Sequence, residues 1–241
     1  SSGPIMPDWS GITLKSTLKD AYADCILRLF QPFKSKSWDV AFDAGTFKSS
    51  LVNSCELRDS PEVEPSGWTP LHYAASAGAP AWVAERLVEA GAARCAKDWL
   101  GRTPLDLAKS VPGCGQDLLA ALTPSFHLPA EQLDNSQLDA MESHFHGLIK
   151  EASMGLSDKG HLSMLPVRVL LESHLTSGLN DCWNFPIPGM YGGFYNIHLV
   201  LGGDGRVSHL QCESWCRVSG GSGRRDKVTA DGVELLESGF V

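Results

Sequence analysis

Gly67-Trp68-Thr69-Pro70-Leu71-His72 returns 34 residues later as Gly101-Arg102-Thr103-Pro104-Leu105-Asp106. A fixed period of this length is typical of repeat proteins, in which each helical unit packs against its neighbours. In both copies a threonine is suited to cap a helix, and the proline after it presets the backbone of the first turn. The sequence therefore predicts two helical repeat units over residues 67–108.

The segment between the two copies completes the pattern of one unit. TPLHYAA at 69–75 is followed by Gly78, by an amphipathic segment that carries Val83 and Leu87, and by Gly91-Ala92. This order of residues resembles the ankyrin family. The resemblance implies helix pairs joined by turns, a surface that binds a protein partner, and a structural role for His72 in hydrogen bonding to turn backbone.

Glycine and proline mark where the helices of the two units end. Gly91 stands where a helix C-terminus commonly takes the left-handed conformation, which glycine adopts without strain. In the second copy LDLAKSV runs into Pro112 and Gly113, so its outer helix is expected further on, at about 116–122. The second unit is therefore predicted to diverge from the first.

Three tryptophans of this region, Trp68, Trp82 and Trp99, are the candidates for contact with a partner. Trp99 precedes Gly101 at the predicted tip of a turn, where the ankyrin resemblance implies contact residues. An aromatic side chain in such a place is typical of a binding hot spot. Packing onto another domain is the alternative interpretation.

Two repeat units are too few to bury their apolar faces alone, so flanking segments must cover them. Apolar residues at helical spacing predict a helix over 14–34 that Pro32 ends, and a shorter helix is considered around 47–55. An acidic loop is expected at 59–66. We therefore expect a helical cap at 1–60, ankyrin-like repeats at 61–124 and a C-terminal α+β domain at 125–241.

The C-terminal part changes from helical to strand patterns. Helices are predicted at about 129–154 and, interrupted at Pro166, at 162–175. Strands are predicted at 183–186, 193–201, 207–218 and 227–241, with turns at 202–205 and 229–232. The predicted fold class is α+β, with a short divergent repeat region followed by a small antiparallel sheet that packs against a helix and pairs consecutive strands.

Several motifs of this part resemble a group of uncharacterised ankyrin-bearing proteins. They are WNFPIPGMYGGF at 183–194, ESWCRV at 213–218, GGSG at 220–223, ESGFV at 237–241 and SHFH at 143–146. The resemblance implies an architecture and carries no activity.

A second hypothesis places a small anionic ligand in the C-terminal domain. Its pocket would be lined by aromatic and arginine side chains: Trp183, Tyr191, Trp215, Arg217 and Arg224. The run GGSGRR could hold an anion on exposed backbone amides. The alternatives are an aromatic core and an ordinary glycine-rich hairpin with solvated charges. Whether this domain is an enzyme stays open.

Composition and charge narrow the remaining classes of function and partner. A formal net charge of −8 argues against a nucleic-acid partner, and no apolar run is long enough for a membrane span. Seven cysteines, an odd number without a CxxC pair, predict reduced thiols in a cytoplasmic protein, although Cys212 and Cys216 could form half of a metal site. His144 and His146 lie about 200° apart on a helix, so we predict no metal; no nucleotide motif occurs and no cofactor is expected.

Overall fold

The computed structural model describes residues 8–43, 45, 47–126, 132–153, 156, 158–177, 182–187, 193–203, 205–215 and 222–240. In these ranges the chain has seven α-helices followed by a five-stranded antiparallel sheet, which confirms the predicted α+β class. It forms two compact units. The repeat unit comprises Ser10–Pro124 with Gly160–Ser163, and the sheet unit comprises Ser1–Trp9, Ser125–Lys159 and Met164–Val241.

The repeat unit stacks two helix pairs. Its helices are α1 (Asp20–Lys34), α2 (Pro70–Ser76), α3 (Ala81–Glu89), α4 (Pro104–Lys109) and α5 (Gln116–Leu122). The inner helices α2 and α4 lie side by side, as do the outer helices α3 and α5. Because the inner helices carry alanine at the contact, as Ala74 and Ala108 do with no exposed surface, they approach closely. The two predicted helix pairs and the displaced position of the outer helix α5 are both confirmed.

Helix α3 ends at Glu89, and Gly91 after it takes the left-handed conformation as predicted. This glycine has φ +97°, its N–H donates to Val88 O (2.9 Å), and the N–H of Ala92 donates to Leu87 O (2.9 Å). The two bonds satisfy carbonyl groups that the last turn of the helix leaves open. The side chain of Asn53 then holds the loop, donating to Gly91 O and accepting from the N–H of Ala93, each at 2.9 Å.

The N-terminal helix differs from its prediction at both ends. The chain is extended at Leu14, where it bridges Arg58, and α1 begins only at Asp20. Pro32 lies inside the helix, which continues to Lys34. Proline lacks only one helical hydrogen bond there, and the next turn closes with the Ser35 N–H on Gln31 O (3.0 Å). The helix considered at 47–55 is reduced to a 3-10 turn at Ser49–Leu51.

The sheet unit contains two helices and a meander of strands. The elements are α6 (Asn135–Ala152), α7 (Val167–Ser177), β1 (Trp183–Pro186), β2 (Phe194–Val200), β3 (His209–Trp215), β4 (Gly223–Val228) and β5 (Val233–Phe240). Each strand pairs antiparallel with the next in the order β1-β2-β3-β4-β5, which confirms consecutive pairing. Helix α6 begins later than expected, because Asp134 and Gln137 close a reciprocal capping box at 2.8 and 2.9 Å.

Two strand boundaries correct the sequence interpretation. The link between β2 and β3 runs from residue 201 to 208, so the pairing stops short of the expected turn at 202–205, of which Asp204 lies outside the described residues. Gly223–Arg225, interpreted as part of a glycine-rich loop, belong to β4. The turn at 229–232 is confirmed, with the Thr229 N–H on Gly232 O at 2.9 Å.

Candidate binding sites

The turn that joins the two repeats projects as a short hairpin, residues 98–102, called here the repeat hairpin. The N–H of Asp98 donates to Arg102 O, and the N–H of Gly101 donates to Asp98 O, both at 2.9 Å. Gly101 has φ +78°, which favours glycine at this position of the turn. The backbone is therefore closed at its base and at its tip.

The carboxylate of Asp98 fixes the hairpin from inside. Oδ1 accepts the N–H groups of Leu100 (2.9 Å) and Arg102 (2.8 Å). Oδ2 accepts Nε (2.8 Å) and Nη2 (2.7 Å) of Arg102 and the indole N–H of Trp68 (3.2 Å). Burial raises the pKa of Asp98, but the hydrogen bonds from Arg102 and Trp68 outweigh it, so its pKa is lowered below the ordinary range. The carboxylate is therefore a charged anchor.

Two apolar side chains stand at the tip of this anchored turn. Trp99 is 39% exposed and Leu100 is 71% exposed. The N–H of Trp99 donates to Ser66 O (2.9 Å), which ties the tip to the start of the first repeat. Adjacent exposed apolar residues on a rigid turn can insert into a partner at a small entropic cost.

His72 lies under the hairpin and is fully buried. Its Nδ1 accepts the backbone N–H of Thr69 (3.2 Å), so the neutral ring carries its proton on Nε2, which donates to Arg102 O (3.3 Å). Burial lowers the pKa of His72 to about 4. This histidine therefore links the start of α2 to the next turn as a neutral structural residue.

The sheet unit contains an open groove of about 370 Å³ between α6 and β5. One wall is a face of α6, and the other is formed by β4 and β5. Its lining residues are Ser143, His144, Gly147, Leu148, Glu151, Arg224, Val233 and Leu235. His144 is positioned by its Nδ1–H, which donates to Thr229 O (3.1 Å), while His146 contacts Leu165 O (3.0 Å) and does not line this groove. The two histidines thus contact different parts of the sheet unit.

Arg224 is already bound within the sheet unit. Its Nε donates to both carboxylate oxygens of Asp226 (3.0 and 2.8 Å), and its Nη2 donates to Oδ1 (2.9 Å). Asp226 has no exposed surface and lies opposite Cys212 in the neighbouring strand. These bonds raise the pKa of Arg224. The pair satisfies a buried carboxylate before any ligand is considered.

The geometry of the repeat unit agrees with a comparison against models of protein families. The family model of the ankyrin repeat matches residues 66–99. Residues 66–99 are an ankyrin repeat. No curated protein and no solved structure matches the chain. The matched range contains α2, α3 and the first half of the repeat hairpin.

The three candidate tryptophans stand in different surroundings around the ankyrin repeat. Trp68 is half-buried, donates to Asp98 and packs edge-on against Tyr73 (ring centroids 5.0 Å apart). Trp82, on the outer helix α3, packs against Phe42 (6.0 Å) and is 38% exposed. Only Trp99 stands at the hairpin tip. Leu100 beside it is more exposed but is not one of the three candidates. Its place between Asp98 and Gly101 in a predicted turn is a signal in the sequence that could have identified it.

The described strands do not place the candidate pocket residues on one face of the sheet. Trp183 is buried and faces the same side of the sheet as Cys212, whereas Trp215 alternates with Ser214 and faces the other side. Arg224 shares the side of Trp183 and borders the groove. Tyr191 and Arg217 lie outside the described residues, as does most of PGMYGGF. The aromatic–arginine pocket stays a prediction.

The described ranges contain neither a cluster of metal-ligating side chains nor a membrane-spanning helix. Among these residues no group of three or more His, Cys, Asp or Glu side chains could hold a metal ion. Cys212 is a buried free thiol, and Cys216 lies outside the described residues. Among the helices that the structure describes, none combines the length and the apolar character of a membrane span.

Proposed function

We propose that this chain is an ankyrin-type interaction protein that binds a protein partner through the repeat hairpin. The observation that carries the proposal is the exposed pair Trp99-Leu100 at the tip of a turn that the Asp98 carboxylate anchors. Ankyrin repeats are protein-interaction elements, and this pair supplies the apolar contact that such an interaction needs.

The supporting residues have distinct roles in this proposal. Trp99 is the aromatic anchor, and Leu100 adds apolar area beside it. Trp68 fixes the orientation of the hairpin through Asp98 and adds the edge of its ring to the contact surface. Trp82 serves a separate contact on the outer helix, where it packs with Phe42. Trp99 therefore carries most of the binding energy, in keeping with the uneven distribution typical of interfaces.

A cytoplasmic location belongs to the same proposal. None of the six described cysteines is joined in a disulfide, which supports a reducing compartment. A partner that shares the cytoplasm with this chain is therefore the class of protein to search for.

The experiment is site-specific photo-cross-linking from position 100 in the full chain, followed by mass spectrometry of the adduct. The identified partner is then titrated with Trp99→Ala and with Leu100→Ser. We expect each substitution to weaken binding by about tenfold or more, equivalent to about 1.4 kcal/mol. Both positions are exposed, so the fold should be retained.

The matched control is Val63→Ser, since Val63 is 56% exposed in the same unit and is not part of the hairpin. It should leave the affinity unchanged. Equal affinities of Trp99→Ala, Leu100→Ser and Val63→Ser for the cross-linked partner would rule out the hairpin as the contact.

A further inference from the structure

The last strand of the sheet, β5, has one open edge. It pairs with β4 on one side, and no described residue pairs with the other side. Every residue from Val233 to Gly239 is exposed. The backbone N–H and C=O groups of an open edge can hydrogen-bond to an added strand. The open backbone groups of this edge are therefore suited to bind an extended peptide.

The same edge borders the groove between α6 and β5. Val233 and Leu235 are 42% and 53% exposed and point into the groove, where Leu148 of α6 is buried opposite them. Side chains of a strand project alternately to its two faces. Every second side chain of an added strand would therefore enter an apolar groove, while the others would face away from α6.

One residue of the helical wall keeps the groove wide. Gly147 lies in the interior of α6, where glycine destabilises a helix by about 0.5–1 kcal/mol relative to alanine. No atom lies within 4 Å of the position that a Cβ would take. Packing within the described chain therefore does not require glycine here, and the space beside it is open to an occupant of the groove.

The charges beside the open edge select the kind of peptide. Arg224 on the groove face is neutralised by Asp226, and Arg225 on the opposite face is neutralised by Glu213 (2.6 Å) and Glu237 (2.7 Å). Glu151 on α6 and Glu234 on β5 are exposed and form no salt bridge with a described residue. Glu151 lines the groove, whereas Glu234 lies opposite Lys227 and faces away from α6. The side chains of an added strand that face away from α6 would lie beside Glu234, which complements lysine or arginine at those positions.

Irregularities in β5 argue against a second copy of the chain as the occupant. In the register with β4, Leu236 and Gly239 have no partner, which marks two bulges. Bulges and edge charges such as Glu234 oppose the long, flat pairing that a symmetric β5–β5 contact needs. The regular stretch at 233–235 suits a short peptide.

We propose that the groove between α6 and β5 binds a short extended peptide of a partner protein, in which apolar and basic residues alternate. The peptide adds to the sheet as a sixth strand beside β5. This site is separate from the repeat hairpin and does not depend on it.

The test begins with a displayed library of random seven-residue peptides selected on the full chain. We expect enriched peptides with apolar residues at alternate positions and at least one lysine or arginine. For the enriched peptide, Gly147→Leu should weaken binding about tenfold or more by filling the groove, while Gly147→Ala, with a single added methyl, should weaken it less. Both variants replace an exposed helical glycine and should be at least as stable as the parent, so lost binding does not report unfolding.

Two further measurements define the mode. Methylation of alternate backbone nitrogens of the peptide should abolish binding in one of the two registers, because one set of amides pairs with β5. Glu234→Lys, on the face of β5 that points away from α6, should favour peptides in which the basic residues are replaced by glutamate. No enrichment, equal binding to Gly147→Leu, or tolerance of both methylation patterns would each overturn the proposal. Trp99→Ala should leave the peptide affinity unchanged, so failure here is distinguishable from failure of the hairpin.

Discussion

The indole N–H of Trp68 donates a 3.2 Å hydrogen bond to the carboxylate of Asp98, 30 residues further along the chain. The bond connects equivalent turns of successive repeats, because Trp68 follows Gly67 as Arg102 follows Gly101. The Cβ of any residue other than glycine at position 67 would lie 2.8 Å from the backbone N of Trp99, so the two turns are in direct contact. The hairpin tip is therefore oriented by the preceding repeat.

Asp98→Asn should destabilise the repeat unit by about 2 kcal/mol. The amide keeps one acceptor for the backbone N–H groups, but its NH₂ would face the donors of Arg102 and Trp68 without a partner, and buried unsatisfied donors cost about 1–3 kcal/mol. Urea unfolding measures the change. Asp117→Asn is the control, because Asp117 is exposed on α5 and should change stability by less than about 0.5 kcal/mol. Equal effects of the two substitutions would contradict the anchoring role of Asp98.

Stability should fall as the pH is lowered from about 6.5 to about 4 because of His72. Its pKa is lowered from 6.5 to about 4 in the folded protein, so the unfolded chain takes up the proton first. The contribution of His72 to the free energy of unfolding is fully present above pH 6.5 and is lost by pH 4. The loss amounts to about 3 kcal/mol. Asp98, whose pKa is lowered from 3.8, acts in a separate window at and below that value.

Urea unfolding at a series of pH values tests the role of His72. His72→Asn removes the titrating ring and should flatten the profile between about pH 6.5 and 4, at a cost of about 1–2 kcal/mol at neutral pH for the lost bond to Arg102 O. An unaltered slope in His72→Asn would show that another group causes the acid loss.

The repeat could be predicted because its signals are local. A threonine before a proline fixes a helix start, and a glycine such as Gly91 fixes a helix end, within a few residues of chain. The network around Asp98 could not be predicted in the same way, since its donors come from two turns that meet only after the repeats stack. The late start of α1 has a similar cause, because Leu14 is extended by a bridge to Arg58, far away in sequence.

The candidate site in the sheet unit was harder to predict because it depends on the face of the sheet that each side chain occupies and on the alignment of neighbouring strands. The glycine-rich run before Arg224 indicated a loop, whereas strand pairing extends β4 to Gly223. The spacing of Arg224 and Asp226 by two residues is a signal of a shared strand face that the sequence does contain. The groove itself depends on α6 crossing β5, which no local pattern encodes.

Gly147→Ala and Gly91→Ala should change stability in opposite directions. At both glycines no atom lies within 4 Å of the position that a Cβ would take, so space does not distinguish them. Gly147 is helical, and alanine there should stabilise by about 0.5–1 kcal/mol. Gly91 has φ +97°, which strains any L side chain, so alanine there should destabilise by about 1 kcal/mol or more. Thermal and urea unfolding of both variants measure the two signs.

Cysteine labelling should separate the thiols by burial. Cys55 is fully buried, and burial raises its pKa to about 12; burial also raises the pKa of Cys212. Neither should react with iodoacetamide in the native protein at about pH 8, because thiolate is the reactive form. Cys25 and Cys114 are partly exposed and should be labelled first. Site-resolved mass spectrometry measures the order, and early labelling of Cys55 would contradict the packing of the repeat unit.

A double-mutant cycle on Arg224 and Asp226 distinguishes a structural pair from a ligand-binding arginine. Arg224→Met leaves the buried carboxylate of Asp226 without its three hydrogen bonds and should destabilise by about 2–3 kcal/mol, less than a fully buried pair because Arg224 is 40% exposed. Asp226→Leu alone should also destabilise, since it leaves the guanidinium unpaired at the groove.

The double variant Arg224→Met/Asp226→Leu should recover most of that loss, because an apolar pair of similar volume avoids the cost of desolvating two charges. If Arg224 instead serves mainly to hold an anion, Arg224→Met should leave stability unchanged in the absence of ligand, and the cycle should show no coupling. Urea unfolding of the four proteins gives the coupling free energy directly. A value of about 1 kcal/mol or more assigns Arg224 to the sheet and leaves the groove to its apolar and acidic residues.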